Sequence, residues 1–251
     1  MSEAHHAFIT GGGSGIGLAT ARALATTGAR LTLAGRNLAK VRAAAEELEN
    51  AFAVACDVSD EASVGAAFAE SRDRYGVVDI LINNAGQAPS APFKNTDLKL
   101  WNETLGINLN GAFLCTRAAL PDMLDAKWGR IVNVGSVCSL KGYAYVSAYV
   151  ASKHGLLGLT RALAHETAKK GVTVNCVCPG YVDTPIIAET VDRITSKTSL
   201  SAEEAHASLI QFNPQGRIIT PEEIASAIAY LCTDAAASIN GAAVPITGGE
   251  I

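Results

Sequence analysis

The chain has 251 residues, of which 49% are hydrophobic and 18% charged, and it carries a formal net charge of −4. That balance fits a globular protein with ample material for a core. With no basic cluster, nucleic acid and anionic membranes are excluded as main partners. No run is long and apolar enough to cross a bilayer, and the opening MSEAHHAFIT lacks a signal-peptide pattern. Six scattered cysteines are too few for a disulfide scaffold, so the expected location is a reducing cytoplasm.

Short apolar runs recur at 6–10, 30–34, 51–55, 79–83, 130–134, 172–177 and 242–246. Between most of them lie Ala- and Leu-rich helical stretches, among them 16–27, 38–49, 61–75 and 98–125. Strands alternating with helices predict βαβ units and a parallel sheet. Runs that are apolar on both faces predict a sheet covered on both sides. Residues 1–251 read as one domain. The polar, helix-prone segment between Pro179 and Pro221 follows the sixth strand, where α/β proteins build substrate lids; the lid is expected at about 183–216. Cys176 and Cys178 form a C-x-C pair in an apolar run, which reads as two small buried hydrophobes before it reads as a metal or redox site.

The first strand is followed by TGGGSGIG, Thr10 to Gly17, and then at once by a helix. The spacing Gly11-x-x-x-Gly15-x-Gly17 departs from G-x-G-x-x-G, but the physics is the same. Glycines let backbone N–H groups approach a pyrophosphate seated at the positive helix N-terminus. Gly11, Ser14, Gly15, Ile16 and Gly17 are therefore the expected phosphate loop of a dinucleotide. At the end of the second strand, LTLAGRN places Gly35 where an acid could bind a ribose 2′-hydroxyl, followed by Arg36. A guanidinium there suits a 2′-phosphate, which favours NADP(H) and leaves NAD open. The alternative is a solvated Arg36. Ser14 is neutral, so the loop adds no second cation.

After the third strand, Asp57 could accept the adenine amino group, with Val58 against the ring. Equally, Asp57 or Ser59 could cap the helix beginning near Asp60. NNAG, 83–86, offers Asn83 for local backbone bonds, and Asn84, Ala85 and Gly86 as a small surface for the cofactor. In AYVASKHG, Tyr149 and Lys153 are four residues apart and share one helical ridge.

TGGGSGIG, NNAG, the Asn in GINLNGAF, the Ser in IVNVGSV, YVASK and CPG follow one another in an order that resembles the short-chain dehydrogenase/reductase family along nearly the whole chain. The resemblance implies a single-domain, Rossmann-type, doubly wound α/β fold. Its parallel seven-stranded sheet, with helices on both faces, would run in the order 3-2-1-4-5-6-7. It also implies a catalytic tetrad of Asn108, Ser136, Tyr149 and Lys153, interconverting a ketone and a secondary alcohol. The adjacent ammonium and an oxidised nicotinamide would lower the Tyr149 pKa from about 10. Ser136, preferred over Ser139 on spacing, would bond the substrate oxygen. Lys153 would also bond the nicotinamide ribose, and Asn108 would hold a water of a proton relay. In CPGYVDTP, Pro179 and Gly180 turn the chain toward the nicotinamide, with Val182 and Thr184 as further contacts. Thr184 could instead cap the helix opened by Pro185.

The expected pocket walls are Gln87 to Pro92, Cys138 to Tyr145, and Tyr181, Ile186, Ile187 and Phe212 of the lid. Ser136, Cys138, Tyr145, Tyr149 and Tyr181 are the expected substrate contacts. The lid and tail resemble those of polyketide ketoreductases and 3-oxoacyl-thioester reductases, so the expected substrate is a 3-oxoacyl thioester. The alternatives are a free hydroxy acid such as 3-hydroxybutyrate, or a cyclic or aryl secondary alcohol. Lys94, Lys141, Lys197 and Arg217 could each meet a carboxylate or a CoA phosphate. A nucleotide-sensing module would have no use for Tyr149, Lys153 and Ser136 together. The family also implies a homotetramer built on helices around 98–125 and 148–169, with PITGGEI at a second interface.

Overall fold

β1 (His6–Thr10) is buried along its whole length, as a central strand must be when both faces of its sheet are covered. Its side chains alternate: Ala7 and Ile9 enter one core, and Phe8 the other, stacked on Phe68 at 4.1 Å. The computed structural model describes residues 4–198 and 200–251. Within helix 185–197 the side chains at 186, 189, 193, 194 and 197 fall outside the described set, so the expectations for Ile186 and Lys197 do too.

From β1 the chain runs through α1 (Gly15–Ala25), β2 (Arg30–Gly35), α2 (Leu38–Glu46), β3 (Ala51–Ala55), α3 (Glu61–Tyr75) and β4 (Ile80–Asn83). It continues through α4 (Leu98–Leu105), α5 (Gly111–Ala126), β5 (Gly129–Val134), α6 (Ser147–Thr167) and β6 (Val172–Pro179). α7 (Pro185–Lys197), α8 (Ala202–Ile210), α9 (Pro221–Leu231) and β7 (Ala243–Ile246) complete it. The seven strands form one parallel sheet in the order β3-β2-β1-β4-β5-β6-β7, as the sequence implied. α1, α2 and α9 cover one face, with Leu24, Val41 and Ile228 in its core. α3, α5 and α6 cover the other, with Phe68, Met123 and Ala164. The strand order reverses at β1 and β4, so a crevice opens beyond their carboxyl ends, where such sheets bind ligands.

Local chemistry fixes the helix ends. Asp60 caps α3 by accepting from Ala62 N, and Gly76 at φ 80° ends it. α8 and α9 open on capping boxes, Ser201 with Glu204 and Thr220 with Glu223. One expectation fails: 98–125 is not a continuous α-helix. A π-helical turn at Gly106–Asn110 separates α4 from α5, in a stretch whose flanking glycines, Gly106 and Gly111, are weak α-formers.

Between the sheet and α5/α6 lies a buried polar ladder. Asn83 Nδ2 donates to Thr116 Oγ1 at 3.1 Å and to Asn133 Oδ1 at 2.8 Å, and Asn133 Nδ2 donates to Thr160 Oγ1 at 2.9 Å. Asn83 and Asn133 are paired residues of β4 and β5.

Candidate active site

The glycine loop is tied to the end of β4 from both sides. Thr10 Oγ1 accepts from Asn84 N at 2.9 Å and Ala85 N at 3.0 Å. Asn84 Nδ2 donates to the carbonyls of Thr10, at 2.9 Å, and Gly11, at 3.2 Å. Local backbone bonding therefore falls to Asn84 and not to Asn83, whose amide is consumed by the buried ladder. A side chain at Gly17 would meet the Gly11 carbonyl and the Asn84 amide. Gly15, at φ 53°, lies against Thr184, whose Cγ2 would be 3.0 Å from an added Cβ. The Ser14 side chain makes no cap hydrogen bond, and no acid sits in the first turn of α1. The turn's amides and positive helix end are left for an anion.

Arg36 is exposed beyond β2. Asp57 is held below the usual carboxylate range chiefly by hydrogen bonds from the Ser59 hydroxyl and amide, with Arg36 a smaller contributor. Asp57 does not cap α3, and neither does Ser59, because Asp60 takes that place. Val58 is 7% exposed and packs on Gly111, which turns its side chain into the core. Sequence reasoning missed Lys40. Lys40 is exposed in the first turn of α2 with its Cγ beside Gly13, 3.2 Å from where a Cβ would stand. A second exposed cation therefore stands beside the glycine loop, supplied by α2.

Tyr149 stands in the first turn of α6 and Lys153 one turn on. Lys153 is 4% exposed; its Nζ donates to Val134 O at 2.7 Å and lies 5.6 Å from the Tyr149 ring centroid. Burial pushes the ammonium down to about 8. Burial also holds the Tyr149 phenol above its ordinary value, against a hydrogen bond from Ser136 that lowers it. The expected lowering of Tyr149 by its ammonium neighbour is therefore reversed among the protein's own groups, because desolvation dominates. Ser136 Oγ accepts from Cys138 N at 3.1 Å, leaving its proton for another partner, and Ser139 Oγ accepts from Ser136 N at 3.2 Å. Ser136 lines the cleft; Ser139 is buried at 2% exposure behind it.

Asn108 sits in the π-helical turn at 2% exposure. Its Oδ1 accepts from Gln87 N at 2.9 Å, and its Nδ2 donates to Gln87 O at 2.9 Å and Ser152 Oγ at 3.1 Å. Ser152 in turn donates to Tyr149 O at 2.7 Å. This link from Asn108 through Ser152 to α6 was not anticipated.

These groups meet in a cavity of 920 Å³. Gly11, Ser14, Gly15, Ile16, Asn84, Ala85 and Gly86 line one end. Pro179, Gly180, Val182 and Thr184 line the side, and Ser136, Cys138, Tyr145, Tyr149 and Tyr181 the other end. Gly17, Arg36, Asp57, Val58 and Asn108 lie outside its lining. Thr184 Oγ1 donates to Val182 O at 3.1 Å. Tyr145 is 65% exposed at φ 67°, a left-handed conformation uncommon for a bulky residue. Phe212 contacts Tyr181 and Tyr143, at centroid distances of 5.8 and 6.2 Å. Among the described lining residues Lys153 alone is charged. Arg217 is committed to Glu223 through two 2.6 Å bonds, Lys141 to Glu250 at 3.1 Å, and Lys94 is exposed. Cys176 and Cys178 are buried with sulfurs 3.9 Å apart, and the described residues include no cluster of three metal-ligating side chains.

The model of the short chain dehydrogenase family matches residues 5–195. The chain is 42% identical to the ketoacyl reductase assigned to the monensin polyketide synthase of Streptomyces virginiae, covering 99% of this chain and 98% of that one. It is 37% identical to the D-beta-hydroxybutyrate dehydrogenase of Cupriavidus necator, over 100% and 99%. A crystal structure of a variant actinorhodin polyketide ketoreductase with NADPH superposes with a TM-score of 0.96 at 36% identity, covering 100% of this chain and 98% of that one. The chain belongs to the short-chain dehydrogenase family, whose enzymes interconvert ketones and secondary alcohols.

Proposed function

We propose that the protein reduces a 3-oxoacyl thioester to its 3-hydroxyacyl form with NADP(H). One observation carries the reading: Tyr149, Ser136 and Lys153 line a single cavity together with Gly11, Ser14 and Gly15 of the glycine loop. The residues fit a dinucleotide. Gly11 to Gly17 and the first turn of α1 would hold the pyrophosphate, with Ala85, Gly86, Pro179, Gly180, Val182 and Thr184 around the nicotinamide. Asp57, close enough to Arg36 to feel its charge, would serve the adenosine end. When bound, the nicotinamide supplies the hydride.

The protein's own groups manage the proton. Ser136, already accepting from Cys138 N, donates to the substrate oxygen as charge develops there. Tyr149 gives its proton to that oxygen, and the phenolate left behind is stabilised by Lys153. A phenol held above its ordinary pKa by burial is protonated at neutral pH, which suits reduction. A cavity of about 10 Å³, lined by Asn108, Lys153, Asn83 and Thr10 among apolar residues, has the size of one water and supports a relay that reprotonates Tyr149 through Lys153.

NADP(H) over NAD(H) is supported by two exposed cations, Arg36 and Lys40, and by Gly35, where an added Cβ would lie 2.9 Å from Val41 Cγ1. An acid at 35 would need that contact to shift. An uncharged 3-oxoacyl chain is supported by a wall of Tyr143, Tyr181 and Phe212, and by similarity to two polyketide ketoreductases. A free hydroxy acid is the second reading, favoured by the D-beta-hydroxybutyrate dehydrogenase relative. The lid we assign to about 183–216, because Thr184, Pro185, Ile187, Leu209 and Phe212 all face the cavity. We further assign a cytoplasmic homotetramer. Exposed Leu98 and Phe113 on α4 and α5 support association through those helices, and sedimentation as a monomer at micromolar concentration would contradict it.

The test is a matrix of NADPH and NADH against acetoacetyl-CoA, acetoacetate, cyclohexanone and an aryl ketone. NADPH with acetoacetyl-CoA is expected to give the highest kcat/KM. A preference for NADH with acetoacetate would replace this reading with the second.

A further inference from the structure

The segment after β7 returns to the substrate end of the cavity and brings a carboxylate with it. The side chain of Glu250 is 4% exposed; its Oε1 pairs with Lys141 Nζ at 3.1 Å and accepts a hydrogen bond from the Tyr143 hydroxyl. Its Oε2 lies 3.5 Å from where a Gly180 Cβ would stand. Gly180, Tyr143 and Tyr181 line the cavity, so Glu250 sits directly behind that wall. The Lys141 ammonium is also 5.1 Å from the Tyr143 ring centroid. Burial, reinforced by the Glu250 charge, holds both the Tyr143 and Tyr181 phenols above their ordinary values. Lys141, the cation beside the Tyr143 ring, is therefore already engaged by Glu250. A dry negative charge stands behind the wall, where low dielectric lengthens its reach.

We infer that Glu250 sets the charge selectivity of the cleft: by engaging Lys141 behind Tyr143 it admits a ketone with an uncharged neighbouring group and disfavours a free carboxylate. This rests on the ketone-reductase reading and deepens it, assigning esters and thioesters of 3-oxo acids as the substrate class. Lys141 and Glu250 act through the wall and the field, so both are positioning residues.

Methyl acetoacetate and acetoacetate share a skeleton and differ by one charge. Their dissociation constants are measured by ligand-observed NMR with saturating NADP+, which cannot reduce either ketone. The readout is the ratio of the acetoacetate Kd to the ester Kd. Glu250→Gln is expected to lower this ratio by about tenfold, the order expected for one charge at short range, and adding Lys141→Ala is expected to restore it. Lys141→Ala alone leaves Glu250 uncompensated and is expected to raise the ratio about threefold. A change below threefold in Glu250→Gln overturns the inference, as does a change that survives Lys141→Ala. Should Glu250→Gln fail to fold, Lys141→Ala decides, since its side chain is 37% exposed; an unchanged or lower ratio then overturns the inference. Failure of the reductase reading is distinct: the wild type would not consume NADPH with methyl acetoacetate, whatever the ratio does.

Discussion

Lys153 Nζ donates to the Val134 carbonyl at 2.7 Å, so an ammonium is fixed over the carboxyl end of β5 with 4% of its surface exposed. Its folded pKa of about 8 lies below the roughly 10.4 of an unfolded lysine. Below pH 8 both states are protonated and the folded state bears the full penalty, on the order of 3 kcal/mol. Between about 8 and 10.4 the unfolded chain holds more protons, so stability from this group rises with pH. Lys153→Met is expected to be more stable than wild type at pH 7 by about 1–2 kcal/mol, allowing for the lost bond to Val134. That gap should close near pH 10. Urea denaturation at both pH values measures it. The same titration predicts that kcat/KM for reduction declines as pH rises through about 8.

Tyr149→Phe removes the proton donor and little else. Turnover is expected to fall by roughly 10²–10⁴-fold, with dinucleotide affinity, read by fluorescence titration, within about threefold of wild type. Near-native turnover would reassign the acid.

Arg36→Ala tests the 2′-phosphate reading. The ratio of NADPH to NADH kcat/KM is expected to fall by about tenfold or more, as befits a charge-assisted contact worth roughly 1.5–3 kcal/mol. An unchanged ratio would point to Lys40 as the discriminating cation.

Gly17→Ala would drive a methyl group into the Gly11 carbonyl and the Asn84 amide, the two groups that lock the loop to β4. Such overpacking costs about 1–3 kcal/mol. Calorimetry should show a Tm lowered by roughly 3–10 °C, and dinucleotide binding should weaken in parallel.

The sheet was legible because its strands are short apolar runs separated by helical stretches, and α3 was read at 61–75, although its cap is Asp60 and not the expected Asp57 or Ser59. The π-helical turn was not legible. Gly106 and Gly111 signal weak α-helix, but nothing local says that the surplus residue is accommodated by a wider turn. Asn108, Ser136, Tyr149 and Lys153 could be named from motif order, yet the direction of the Tyr149 shift could not. Desolvation depends on what α6 packs against, which sequence spacing does not encode. Glu250 and Lys40 were missed for a related reason: each reaches its place through a tertiary return of the chain, and each looks like an ordinary solvated charge in sequence.

Strands that are greasy on both sides have no inside–outside alternation to tell one alignment from the next. If β4 slipped by one residue against β5, Ile80, Leu81 and Ile82 would still face hydrocarbon. The Asn83–Asn133 pair would not survive the slip, because the hydrogen bond between the two buried amides would be lost and leave the Asn133 carbonyl oxygen without it. That pair works as an alignment mark, because the observed offset is the one that sets Asn83 opposite Asn133 and joins their amides. It sits one residue before Asn84, so the same mark indexes the dinucleotide crevice to the centre of the sheet.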